Sequence, residues 1–265
     1  MEMDPGGSDV GRDLERDMGE APPSTIRDTP PDYLAPIDAS APVSGHVPPP
    51  ESTSSIAESP EHDWETARAL VFPGFRPVGT QGLAVESFNR DALTGHGLSH
   101  AQPLLDQGPA GLPVVYTIDA GGFDIVVNGD HLMSWGVEPA DVQDAALKNL
   151  AAWSAGAARV VEESGPRRLV SSQTGDGWDA ARIILPDSLS RLATELGGLG
   201  RILVGIPERH LLTAGSLSTG DDEFAELFAE FVIEQSGGAD EPIDRRVFEL
   251  VDGRLVEFIG PDTAR

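Results

Sequence analysis

The sequence predicts an α+β domain in which a mostly antiparallel sheet packs against two or three helices, preceded by a disordered, acidic, proline-rich tail. Strand-like and helix-like apolar patterns are mixed along the C-terminal half of the chain. The strands there follow one another across short turns, and Asp252-Gly253 favours a type I′ hairpin between the last two. Prolines, by contrast, are concentrated in the first quarter of the chain.

The predicted tail covers residues 1–62. It holds half of the 22 prolines, its acidic residues outnumber its basic ones, and Tyr33 is its only aromatic residue. Such a segment cannot bury enough apolar surface to offset the entropy lost on ordering, so we expect it to be disordered. A solvated tether is one interpretation, and a proline-rich partner motif is the alternative.

Residues 63–111 predict a short helix followed by an irregular cover segment or a second linker. The stretch DWETARALVFPGF is typical of a helix that ends before Pro73, and residues 74–111 are rich in Gly, Pro, Ser and Asn. The compact α+β domain is then expected over residues 112–265.

The first elements of that domain are predicted from composition and apolar spacing. Residues 113–119 and the stretch GGFDIVVNG are typical of two strands joined by a Gly-Gly turn. Asp130 is expected to cap a short turn. A helix is predicted from Glu138 to about Ala157, with one apolar stripe formed by Val142, Ala146, Leu150 and Trp153.

The next elements form a second group. The stretch RRLVSSQTGDGWDAARIIL predicts a strand, a turn at 174–177 and a return strand, and Pro186 begins a helix. Residues 201–206 and 211–214 predict two paired strands. A helix over 221–235, with Thr219 as its N-cap, shows an apolar stripe of Phe224, Leu227, Phe228, Phe231 and Val232.

The net charge of −26 argues against nucleic acid and against anionic membrane surfaces as partners, and leaves a basic protein as the expected one. Salt adaptation is the other explanation of this charge. No run approaches about 18 apolar residues, there is no cysteine, and the N-terminal segment lacks the apolar core of a signal peptide. We therefore expect a cytoplasmic protein without a membrane span.

The 221–235 helix carries the candidate partner-binding face. Opposite its apolar stripe the sequence places only acidic residues, and like charges four residues apart each cost about 0.2–0.5 kcal/mol at low salt. A surface for a basic partner explains this face, and an ordinary solvated helix face is the alternative. The residues are Asp222, Glu223, Glu226, Glu230 and Glu234.

The candidate catalytic or ligand-binding residues are Glu208, Arg209 and His210, which follow a predicted strand. An acid, a base and an imidazole together can orient a substrate or transfer a proton. Because neighbouring residues of a strand point to opposite faces, Glu208 and His210 would share a face that Arg209 does not. A polar turn with an Arg–carboxylate pair is the alternative interpretation.

Metal and cofactor motifs are not evident in the sequence. His96 and His100 are four residues apart, but glycine between them argues against a helix that would present both to a metal. The chain has no P-loop, no Gly-x-Gly-x-x-Gly and no nucleophile elbow. We therefore expect neither a metal nor a cofactor.

Three segments resemble the YtpQ-like family of bacterial proteins, a domain of unknown function. They are AALKNL at 145–150, ARIILPDSL at 181–189 and VGIPERHLL at 204–212, and the resemblance covers about the last 150 residues. The chain departs from the family at His210, where an acidic residue is expected. The resemblance implies a compact α+β domain and brings no established activity.

These observations favour a non-catalytic protein-interaction module, in an adaptor or chaperone-like role. The alternative is an enzyme or small-ligand-binding domain with its site near Glu208, Arg209 and His210. The oligomeric state does not follow from the sequence.

Overall fold

The computed structural model describes residues 59–96, 100–197 and 200–260, and these form an α+β fold of two antiparallel-rich sheets and six helices. Most of the predicted tail lies outside these ranges. Among the residues described, no helix is both long and apolar enough to cross a membrane. The helices are α1 (Trp64–Ala67), α2 (Arg90–His96), α3 (Gly129–Trp135), α4 (Pro139–Ser154), α5 (Ser188–Glu195) and α6 (Asp222–Gly238).

The strands divide between a first sheet, β1 to β5, and a second sheet, β6 to β11. Those of the first sheet are β1 (Val71–Phe75), β2 (Leu83–Ala84), β3 (Leu104–Gln107), β4 (Pro113–Asp119) and β5 (Asp124–Val126). Those of the second are β6 (Val160–Ser164), β7 (Arg167–Ser172), β8 (Arg201–Glu208), β9 (Leu211–Leu217), β10 (Val247–Val251) and β11 (Arg254–Glu257).

The first sheet corrects the predicted boundaries before residue 112. Its order is β1-β4-β3-β2, with β5 also paired to β4, so residues 63–111, expected to be a short helix and a cover segment or linker, supply three of its strands. The predicted helix ends at Ala67, and Pro73 lies within β1 instead. A proline is tolerated there because β1 is an edge strand that pairs only with β4 among the described residues.

The N-terminal boundary also moves. Residues Pro60–His62, expected in the tail, form a short 3₁₀ turn. The indole Nε1 of Trp135 donates a 2.7 Å hydrogen bond to the Glu61 carbonyl, and Trp64 packs against the Trp135 ring with centroids 5.3 Å apart. These contacts order the chain from residue 59 onward, earlier than the composition suggests.

The second sheet is antiparallel throughout, in the order β11-β10-β8-β9-β7-β6. It contains the predicted 201–206 strand, its hairpin partner and the terminal hairpin. Asp252 and Gly253 have φ of 50° and 76°, as a type I′ turn requires. The main apolar core includes residues from both sheets and from α3, α4 and α5, among them Ile118, Ala146, Val204 and Phe248.

The predicted return strand after the 174–177 turn is wrong. Residues Ala180–Ile184 form a 3₁₀ helix instead. In this conformation the side chains of Asp179 and Arg182, three residues apart in the chain, form an ion pair at 2.8 Å. Both side chains are almost fully buried. Asp179 also accepts hydrogen bonds from Ser172 and Thr174, and this buried network competes successfully with strand pairing.

Two predicted caps and one predicted stripe position also differ. Asn128, not Asp130, caps α3, and Asp221, not Thr219, caps α6 by accepting from the Phe224 N–H. In α4 the stripe is buried as expected except at its last position, where Trp153 is 53% exposed. The reason is that α4 ends one residue later, so Trp153 lies at the rim of the core and meets Phe72 edge-on.

Candidate functional site

The three candidate residues at 208–210 lie at the hairpin turn between β8 and β9. Glu208 ends β8 and pairs across the hairpin with Leu211, while Arg209 and His210 form the two-residue turn. Pro242 also bridges to Glu208. The segment is therefore held by backbone contacts on both sides.

Arg209 has the most contacts of the three. Its guanidinium forms ion pairs with Asp124 at 2.5 Å and with Glu241 at 3.2 Å, and its Nε donates to the Gly177 carbonyl at 2.9 Å. It also lies over the ring of the buried Trp178. Burial acts to lower the pKa of Arg209, but the hydrogen bond and charge of Asp124 outweigh it and raise this pKa.

Glu208 and His210 do not share these interactions. Within the described ranges, neither side chain forms a hydrogen bond or an ion pair, so the structure does not bring the two together with Arg209 as an acid–base constellation. The arrangement matches the polar-turn interpretation, in which the Arg–carboxylate pair has a structural role. The partner carboxylates, Asp124 and Glu241, were not identified from the sequence because they are distant along the chain.

The second candidate, the acidic helix, is α6, which packs on the outer face of the second sheet. Ala225, Phe228 and Val232 are its buried positions, against Leu203 and Val247 of the sheet. Two strand glycines allow this close approach. A Cβ on Gly205 would overlap Val232, and a Cβ on Gly215 would lie 2.8 Å from the Phe224 ring.

Because α6 covers the middle of the sheet, an apolar groove of about 360 Å³ remains between α6 and the β6–β7 hairpin. We call it the α6 groove. Leu227, predicted to lie in the buried stripe, is 50% exposed, and Phe224 and Phe231 are half-buried. The apolar residues that line the groove are Leu169, Phe224, Leu227, Phe228 and Phe231.

The five predicted partner-binding acids are all exposed. With 3.6 residues per turn, Glu223, Glu230 and Glu234 lie within about 60° of Leu227 around the helix, whereas Glu226 lies about 100° away. The first three therefore form a ridge along the solvent side of the α6 groove, and Glu226 and Asp222 lie toward the far side of the helix. The opposite wall is β6, whose Glu162 and Glu163 also line the groove.

Two arginines in the groove are already neutralised. Arg167 forms ion pairs with Asp221 at 2.7 Å and Glu223 at 2.6 Å, and Arg168 pairs with Glu163 at 2.8 Å. The hydrogen bond from Arg167 lowers the pKa of Asp221. The groove therefore has an apolar floor with a net negative border.

The outer wall of the groove is an edge strand. In the described part of the chain, β6 pairs with β7 alone, and all five of its residues are exposed, including Val160 and Val161. An exposed apolar edge is a recurring place for contact with another chain.

Of the two candidate histidines, the structure describes the side chain of His100 only. His96 ends α2 and its side chain lies outside the description, while His100 Nε2 lies 3.3 Å from the Leu93 carbonyl. No group of three or more metal-ligating His, Asp or Glu side chains occurs in the ranges described.

Comparison with known proteins gave no match to this chain among protein-family models, curated proteins or solved structures. The resemblance to the YtpQ-like family therefore stays a prediction. The class of protein that the described fold defines is an α+β domain with an acid-bordered apolar groove.

Proposed function

We propose that the protein is a non-catalytic interaction module, of adaptor or chaperone-like type, whose α6 groove binds a basic amphipathic segment of a partner protein. The observation that carries the proposal is an open apolar floor at Leu227, with Glu162 and Glu163 lining the β6 wall and exposed acids of α6 beside the other wall. Apolar side chains of the segment occupy the floor, and its Lys or Arg residues meet the borders.

Charge complementarity selects this occupant over others. The chain's own residues 1–58 are acidic, so the same carboxylates would repel them. An anionic membrane or a nucleic acid would be repelled likewise. A basic segment is attracted, and the attraction falls as salt screens it.

The location is part of the same proposal. We place the interaction in the cytoplasm because the chain has no cysteine and so no disulfide to suit an oxidising compartment. Membership of the YtpQ-like family is proposed on the three resembling segments alone.

The first test uses a synthetic Leu/Lys peptide that forms an amphipathic helix of about 18 residues and a scrambled peptide of equal composition. Fluorescence polarisation with the full chain should show saturable binding of the amphipathic peptide only. Leu227→Lys should weaken it about tenfold or more, since a central interface side chain contributes about 1–2 kcal/mol. Ile233→Lys is the matched control, because Ile233 is 53% exposed on the other side of the same helix.

The second test addresses the acidic ridge. Glu230→Gln with Glu234→Gln should weaken peptide binding at low salt and flatten its salt dependence. The matched control, Glu86→Gln with Asp144→Asn, removes two exposed carboxylates elsewhere and should change neither. Equal peptide affinity in Leu227→Lys and wild type, or equal affinity for the scrambled peptide, contradicts the proposal.

A further inference from the structure

A second, polar pocket of about 340 Å³ lies between the end of α4, the start of β6 and one face of α5. We call it the α4–α5 pocket. Ser188, Arg191 and Glu195 line it at helical spacings of three and four residues, which places them on one face of α5. Its other polar lining residues are Ser154, Arg159 and Arg182. None of these residues lines the α6 groove.

The pocket gathers polar atoms that lack partners. Within the described residues, seven buried side-chain N or O atoms have no hydrogen-bond partner. Four of them belong to residues lining this pocket, namely Ser154 Oγ, Arg182 Nε, Ser188 Oγ and Glu195 Oε2. Buried polar atoms are rarely left unpaired, so their concentration in one pocket calls for a polar group, either water or a ligand, that completes them.

Two of these four side chains are built into the protein interior. Ser188 is 1% exposed and Arg182 is 2% exposed. The terminal nitrogens of Arg182 are held by Asp179 and Asp176, which fixes the guanidinium and leaves its Nε–H as a donor. A serine hydroxyl that is almost fully buried and unpaired is costly unless a ligand or water completes it.

One cation of the pocket, Arg191, has no carboxylate partner among the residues described there. Arg182 is paired with both Asp176 and Asp179, and Arg159 pairs with Glu195 at 2.8 Å. Arg191 is exposed, and its only described hydrogen bond runs from Nε to the Asp187 carbonyl at 3.4 Å.

From this arrangement we propose that the α4–α5 pocket binds a small hydroxylated anion, a carboxylate or phosphate that also carries hydroxyl groups. The oxyanion pairs with Arg191, and hydroxyls fill the partner positions of Ser188 Oγ, Arg182 Nε and Glu195 Oε2. Glu195 requires a hydrogen donor, which a bare inorganic anion in its fully ionised form does not supply. The volume suits a ligand of this size.

Four probes separate the parts of this chemistry in calorimetric titrations of the full chain. Gluconate combines a carboxylate with hydroxyls, and glycerol 3-phosphate combines a phosphate with hydroxyls. Glucose has hydroxyls alone, and acetate has the charge alone. We expect saturable binding of gluconate or glycerol 3-phosphate, about tenfold or more tighter than that of glucose or acetate. Whichever of the two anions binds more tightly identifies the oxyanion.

Amide NMR spectra locate the bound probe. The amide shifts should change at residues 154–161 and 182–195 and not in α6.

Two variants test the residues. Arg191→Gln should weaken the affinity for the better probe about tenfold. Arg254→Gln, at an exposed arginine of β11, should leave that affinity unchanged. Ser188→Ala should also weaken the affinity for the probe. It should leave the melting temperature of the unliganded chain unchanged or raise it, because it removes an unpaired buried hydroxyl.

Three results would overturn the assignment. In the first, none of the four probes binds saturably, which would mean that water alone fills the pocket. In the second, neither Arg191→Gln nor Ser188→Ala changes the affinity for the probe. In the third, the amide shifts change only in other parts of the chain. The peptide experiment on the α6 groove is read separately, so failure of one proposal does not decide the other.

Discussion

The guanidinium of Arg209 lies 4.7 Å from the ring centroid of Trp178. Trp178 also stacks on Phe72, with the ring centroids 4.6 Å apart and the ring planes inclined by 18°. Arg209 belongs to the β8–β9 turn of the second sheet, and Phe72 belongs to β1 of the first. This stack, together with the Arg209–Asp124 ion pair, joins the two sheets at the place where the sequence suggested a catalytic group.

Replacing Arg209 tests this structural role. Arg209→Gln should lower the free energy of unfolding by about 2 kcal/mol, because it leaves Asp124 without its cation and removes the stacking on Trp178. Arg201→Gln is a matched control, since Arg201 also pairs with a carboxylate and lies over an aromatic ring but is mainly exposed. Arg201→Gln should lower the free energy of unfolding by less than about 1 kcal/mol. Urea unfolding measures both, and equal costs would contradict the structural role.

The buried pair of Arg182 and Asp179 predicts a larger effect. Asp179→Asn should destabilise the protein by about 3 kcal/mol, because the partly unpaired guanidinium stays buried. Burial would raise the pKa of Asp176, but hydrogen bonds from Arg182 and the Trp178 N–H lower it overall. Asp176 therefore remains charged and limits the loss. Asp144→Asn, at an exposed site on α4, should change the urea midpoint little, and a similar shift in both variants would refute the prediction.

The close approach of α6 to the second sheet predicts opposite effects at two glycines. Gly205→Ala should cost about 1–3 kcal/mol, because the new methyl group overlaps Val232. Gly237→Ala, within α6 and with nothing near its added Cβ, should be neutral or stabilise by up to about 1 kcal/mol. Thermal unfolding of both variants measures the difference. A neutral Gly205→Ala would show that α6 can move away from the sheet.

The His131 cap of α3 predicts a pH dependence. Burial lowers the pKa of His131, with Glu61 and Asp130 partly opposing it, and its Nδ1 accepts the Asn128 N–H at 3.1 Å. Below pH 6.5, the ordinary His value, the unfolded chain therefore binds more protons than the folded one. The contribution of His131 to the free energy of unfolding should be fully present above pH 6.5 and should fall as pH drops through 6.5 toward the lower folded pKa.

His131→Gln isolates this effect, because glutamine at the same cap position can accept the hydrogen bond without titrating. The difference in unfolding free energy between wild type and His131→Gln should decrease as pH falls from 7.5 to 5.5, measured by urea unfolding. The other five histidines are common to both proteins. A difference that is constant with pH would show that His131 titrates alike in both states.

Much of the fold was predictable because its signals are local. The Asp252-Gly253 turn, the alternation in 201–206 and the stripe at Val142, Ala146 and Leu150 each depend on near neighbours in the chain, and the structure confirms them. The predicted caps at Asp130 and Thr219 missed by two residues, whereas the wrong strand and linker predictions depend on distant partners. Residues 71–75 contain Pro73, which argues against a strand in the sequence alone. It is compatible with a strand only because β1 lies at the edge of its sheet.

The sequence by itself determined an acidic α+β chain, its hairpins, its long helices and the exposed carboxylates of α6, because charge and periodicity act over a few residues. Only the tertiary structure decided that Arg209 joins two sheets and that Leu227 lines an open groove. Only it placed Ser188 and Arg182 in one pocket. Those outcomes depend on which elements pack together, and packing brings together residues far apart in the chain that no local pattern connects.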